Sequence, residues 1–134
     1  MAPVDRLERT LRDVNRGMIG FDLALGSGAL LAPDATLRVL GHRPPAADAR
    51  ELFRRCGPIW LTFAAAHTVA AVRDEPRDWW ALAWLRATEI GTDALWGTRS
   101  PAFSRPGART ALRLASASNL AMMLGFRALA SQSR

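Results

Sequence analysis

Residues 79–96 read WWALAWLRATEIGTDALW, and the reading of this stretch decides the fold. It has the length of a membrane-crossing helix, yet it carries Arg86, Glu89 and Asp93. Trp79, Trp80 and Trp84 open it and Trp96 closes it. The run from Trp80 to Trp96 covers about 24 Å at a helical rise of ~1.5 Å per residue, which suits aromatic anchors at two membrane interfaces. Arg86, Glu89 and Asp93 are spaced by three and four residues and therefore share one helical face. A charge at bilayer depth costs ~2.5–3.5 kcal/mol on insertion scales, so such a face is expected to turn inward.

Three further apolar segments flank this one. Gly17 to Ala32 is interrupted only by Asp22 and closed by Pro33. Gly57 to Val72 contains His67. Ala111 to Ala130 contains Arg113, Asn119 and Arg127. Charge and punctuation collect between them, at Pro33–Arg55, Arg73–Asp78 and Gly97–Arg109. Asp48 with Glu51 forms a capping-box pattern, Asp78 is placed to cap the Trp79 helix, and Pro33-Asp34 suggests a short helix ending at Gly41. Ser104, Arg105, Pro106 and Gly107 mark a loop.

Ahead of the first apolar run, Val4, Leu7, Leu11, Val14 and Met18 form one apolar stripe, with Asp5, Arg6, Glu8, Arg9, Arg12 and Asp13 on the other faces. Pro3 suits a first helical turn. The pattern predicts an amphipathic helix over 1–16 lying at a membrane interface. The chain as a whole is predicted to be all-α: a four-helix transmembrane bundle, with helices near 17–32, 49–72, 79–96 and 110–131, preceded by that helix. A soluble four-helix bundle is the competing architecture, because mean hydropathy is near zero. The tryptophan spacing and the absence of a clean polar face on 17–32 favour the membrane.

Composition narrows the function. Among 134 residues, 18 arginines and no lysine oppose 12 carboxylates, for a net charge of +6. The arginines are scattered through three stretches rather than gathered in one stripe, so nucleic acid is not the expected partner. They also give no membrane orientation: eight fall on one set of connections and ends, nine on the other. The lone Cys56 excludes a disulfide framework within the chain. Phosphate-loop, HExxH and GxSxG motifs do not occur.

Polar residues within the apolar segments are the candidate site. Arg86 is expected to pair with Glu89 one turn on, and Asp93 to meet His67, Asn119 or Arg127. Asp22 shares a face with Ile19 and Gly26, where the glycine admits a close backbone approach. Asp22, Arg86, Asn119 and Arg127 are thus expected in an intramembrane polar network that fixes helix register. His67, Glu89 and Asp93 are the candidates for proton handling or substrate polarisation. One histidine with two carboxylates matches no metal-ligand spacing, so no metal is predicted. Cys56 beside Arg54 and Arg55 reads as an ordinary small residue at a helix start rather than an activated thiol.

The run Gly20-Phe21-Asp22-Leu23-Ala24-Leu25-Gly26, the closing Ala32-Pro33, Leu40-Gly41, Arg55-Cys56-Gly57 and a late aspartate at Asp93 resemble the DoxX-like family of small four-helix integral membrane proteins. The resemblance spans about residues 17–130. It implies an integral membrane bundle, some members of the group being small subunits of quinone-coupled oxidoreductase complexes. The amphipathic first helix and the tryptophans depart from the family pattern, and no catalytic residue is carried over.

The expected function is therefore that of a small, non-catalytic accessory subunit of the bacterial inner membrane. It would contact lipid and pack against protein partners or copies of itself in a larger electron-transfer or light-harvesting complex. The alternative is a small membrane enzyme or carrier that takes a quinone, isoprenoid or other lipid-soluble molecule at His67, Glu89 and Asp93. No bound cofactor is required by the first reading.

Overall fold

The computed structural model describes residues 3–100 and 106–132, with side chains from Arg6 onward. Five α-helices and no strand occur among them: α1 (Pro3–Leu31), α2 (Pro33–Val39), α3 (Ala47–Arg73), α4 (Pro76–Arg99) and α5 (Pro106–Ala130). The all-α expectation holds. The side chains of Val4 and Asp5, the loop residues Ser104 and Arg105, and Arg134 lie outside the described residues.

Two local expectations change. The amphipathic segment and the first apolar run form one continuous helix, α1, of 29 residues. Their junction contains no proline, and Gly17 and Gly20 alone do not break a helix, since glycine costs only ~1 kcal/mol relative to alanine. Asp78 does not cap α4. The helix begins at Pro76, with Glu75 at the cap position making no side-chain cap bond. Proline's fixed φ and missing N–H favour that first position. Asp78 instead faces Arg73 Nε at 3.3 Å, and the same arginine reaches Glu75 at 2.8 Å. The Glu75 hydrogen bond is the main cause that lifts the Arg73 guanidinium above its ordinary value; burial opposes it, and Asp78 adds to it.

Two compact units divide the chain. Residues 12–71 form one, and residues 72–134 with the first eleven form the other. In the 12–71 unit, α1 meets α3 at two glycines. A Cβ built on Gly26 would lie 2.9 Å from the Gly57 carbonyl oxygen, and one on Gly57 would lie 2.9 Å from the Gly26 oxygen. Only the missing side chains allow this approach. The turn into α2 is similarly tight at Gly28, whose absent Cβ leaves room for Thr36. Arg50 of α3 donates to Asp34 of α2 at 2.7 Å.

In the other unit, α4 and α5 run antiparallel: Trp79 lies by Phe126, Arg86 by Asn119, and Gly97 by Leu112. Trp79, Leu82, Ala83, Met122, Phe126 and Leu129 form the apolar core of this pair. The Trp79 and Phe126 rings sit 5.6 Å apart at 31°. Leu11 fills the space left by Gly125. No helix among the described residues is long and apolar enough to cross a membrane.

Candidate functional site

Polar side chains occupy the interior of both units. Of the six largest fully buried side chains, Arg86, Phe126, Leu82, His67, Asn15 and Asp22, four are polar or charged. Ordinary protein interiors reverse that proportion.

In the 12–71 unit the polar interior is built on one stripe of α1. Asn15 and Asp22 are two turns apart, and Gly26 and Ala29 continue the same buried line. The Gly26–Gly57 approach holds α3 against this line, and His67 projects from α3 onto it. Asn15 grips the histidine twice. Its Nδ2 donates to the His67 backbone carbonyl at 3.0 Å, and its Oδ1 lies 2.6 Å from His67 Nδ1. The other ring nitrogen, Nε2, lies 3.7 Å from Asp22 Oδ2. His67 and Asp22 are buried to within 2 % of complete. Chemically this cluster can hold and orient a proton. The neighbouring Thr68 hydroxyl is committed to the Ala64 carbonyl, and Cys56 lies three turns back along α3, its thiol on the Leu52 carbonyl.

The α4–α5 pair holds the second cluster. Arg86, 2 % exposed, donates from Nη1 to Glu89 Oε2 at 3.1 Å and to Asn119 Oδ1 at 3.5 Å. The expected Arg86–Glu89 pair is formed, and Asn119 joins it. Two turns along, Asp93 accepts a hydrogen bond from Ser116 Oγ at 3.2 Å. Asp93, Ser116, Gly97, Leu112, Arg109 and Arg113 line a shallow groove of about 320 Å³.

The remaining expectations sort as follows. His67 has Asn15 and Asp22 as partners, Glu89 has Arg86, and Asp93 has Ser116. Arg127 is exposed on α5 and does not enter the buried Arg86 cluster. Trp79, expected among the interfacial anchors, is 2 % exposed in the core, where its Nε1 donates to Asp74 Oδ1 at 2.8 Å. Trp80, Trp84 and Trp96 do face outward. Among the described residues, no three histidine, cysteine or carboxylate side chains converge as metal ligands.

Asn15 and Ser116 were not anticipated. Both left a trace in the sequence. Asn15 lies seven residues before Asp22 on the helical repeat, and Ser116 three before Asn119. Short polar residues at such positions are too common in helices to single out before the partner helix is placed.

No family model, no curated protein and no solved structure matches this chain.

Proposed function

We propose that this protein is a small, non-catalytic helical subunit embedded in a membrane, its outer faces packed against lipid and against partner proteins of a larger complex. One observation carries the reading: ionisable and amide side chains are buried within the helices while large apolar side chains stand on their outer faces. Asn15, Asp22, His67, Arg86 and Asn119 are buried, while Leu31, Val39, Val72, Trp84, Leu52 and Leu114 are 64 % exposed or more. A water-facing protein seldom presents so many large apolar side chains. A lipid-facing one requires them and shelters ionisable groups that fall midway along its helices, as Asp22, His67 and Arg86 do.

The low hydropathy of the single helices fits the same reading. Asp22, His67, Arg86, Glu89 and Asn119 depress the average of the segments that carry them, yet four of the five are sheltered and Glu89 is half-buried. Each helix alone is a poor membrane span. Paired polar groups and a surrounding complex would offset that deficit, which favours a subunit over a free-standing carrier. The bacterial inner membrane is the proposed location. Among the predicted anchors, Trp80, Trp84 and Trp96 are exposed, as interfacial anchors must be.

Fractionation of cells expressing the full chain tests the proposal. The expected result is recovery in membranes, resistance to carbonate washing, and comigration with a larger complex in mild detergent. Recovery as a soluble monomer without detergent would overturn it.

A further inference from the structure

The groove between α4 and α5 holds charges that do not neutralise one another. Arg109, Leu112, Arg113 and Ser116 stand at spacings of three and four on one face of α5, and they meet Asp93 and Gly97 of α4. Like charges four residues apart on a helix repel. Arg109 also lies near the start of α5, where the helix dipole disfavours a cation, and no carboxylate stands in that first turn to offset it. Both arginines are exposed, and among the described residues neither has a hydrogen bond or an ion pair. Asp93 lines the same groove half-buried, yet its bond goes to Ser116 Oγ, through Oδ2, and not to either arginine. Two cations and one anion thus face one space with a net charge of +1.

We propose that this groove binds the headgroup of a phospholipid that carries a primary ammonium beside its phosphate, a phosphoethanolamine. The phosphate lies between Arg109 and Arg113, whose planar guanidinium forks match its oxygens, and it relieves both their mutual repulsion and the dipole of α5. The ammonium meets Asp93, whose Oδ1 is left over by the Ser116 bond. A choline headgroup carries methyl groups where ethanolamine carries N–H donors, so it cannot make that contact. The floor of the groove is apolar, with Leu112 seated in the space that Gly97 leaves. Its volume of about 320 Å³ is at the small end of ligand sites, which suits a headgroup rather than a whole lipid. Exposed Trp96 directly precedes Gly97, which puts the groove at the level of an interfacial tryptophan. The lipid as the source of the phosphate rests on the membrane reading above; the charge pattern does not.

Native mass spectrometry of the full chain in mild detergent, offered phosphatidylethanolamine and phosphatidylcholine in equal amounts, reads which lipid is retained. The wild type is expected to keep phosphatidylethanolamine in preference. The double variant Arg109→Gln with Arg113→Gln should hold it about tenfold more weakly, the scale of two arginines at a headgroup surface. A charge-matched control, Arg38→Gln with Arg127→Gln, alters two exposed arginines outside the groove and should leave retention unchanged. Asp93→Asn should erase the preference between the two lipids. Equal retention of both lipids by the wild type would overturn the proposal, as would undiminished retention in the groove variant or an equal loss in the control. Binding of inorganic phosphate with no lipid retained would overturn it too. Should Asp93→Asn fail to fold, the wild-type preference and the arginine variants still decide. If fractionation finds the chain outside membranes, the membrane reading falls, and the same comparison with dihexanoyl forms of the two lipids in water still judges the groove.

Discussion

Gly26 and Gly57 are mutually indispensable: a side-chain carbon on either would meet the carbonyl oxygen of the other at 2.9 Å. Backbone oxygens cannot swing aside as side chains do, so α1 and α3 would have to separate. Gly26→Ala is expected to destabilise the fold by ~1–3 kcal/mol, the usual range for overpacking. Gly20→Ala, on the same helix with open space around it, should be neutral or stabilising by up to ~1 kcal/mol. Thermal unfolding followed by circular dichroism separates the two. Equal effects at both positions would contradict the close approach.

The Arg86–Glu89 pair is unequally buried, and its two single variants should differ. Arg86 is 2 % exposed, whereas Glu89 keeps 28 % of its side chain open to the surroundings. Glu89→Leu removes a carboxylate from a buried guanidinium that keeps Asn119 as a partner, and a loss of ~1–3 kcal/mol is expected. Arg86→Leu leaves a carboxylate that can turn outward, and the loss should be smaller. The double variant should recover much of the Glu89→Leu loss, since apolar replacement of a whole buried pair is often near neutral. A double-mutant cycle on melting temperature measures the coupling, and strict additivity would show that the pair contributes none.

Asp74 stands at a φ of 52°, in the left-handed region, and accepts the Trp79 indole hydrogen. Asparagine tolerates that conformation and offers the same Oδ1 acceptor. Asp74→Asn is therefore expected to change stability by less than ~0.5 kcal/mol, the range of a benign substitution. Asp74→Ala loses both the acceptor and the tolerance, and a loss of ~1–3 kcal/mol is expected from the unsatisfied buried indole. Chemical denaturation monitored by tryptophan fluorescence would rank them. The reverse order would show that neither the Asp74 acceptor nor its left-handed turn supports Trp79.

Arg127 offers a control for the buried arginine. It lies exposed on α5, and Arg127→Ala should shift stability by no more than ~0.5 kcal/mol. A loss comparable with that of Glu89→Leu, read in the same melting experiment, would place Arg127 in a cluster that the fold does not show.

The amino-acid sequence by itself determined the all-helical character, the Arg86–Glu89 pair and the close approach at Gly26, but not that residues 3–31 form one helix. Each rests on short-range order: apolar runs bounded by Pro33, Pro76 and Pro106, a three-residue spacing that stacks side chains on one face, and a glycine on the face of Ile19 and Asp22. Only the tertiary structure decided the rest. Local polarity could not tell that Trp79 packs on Phe126 while Trp80 and Trp84 point outward, because adjacent helical positions differ by about 100° and the inward direction is set by the partner helix. Nor could it give His67 its partners, since Asn15 and Asp22 are 52 and 45 residues away in sequence (67 − 15 and 67 − 22). Such pairings are selected by how α1 and α3 dock, and that docking is fixed by two glycines whose contact no helical periodicity encodes.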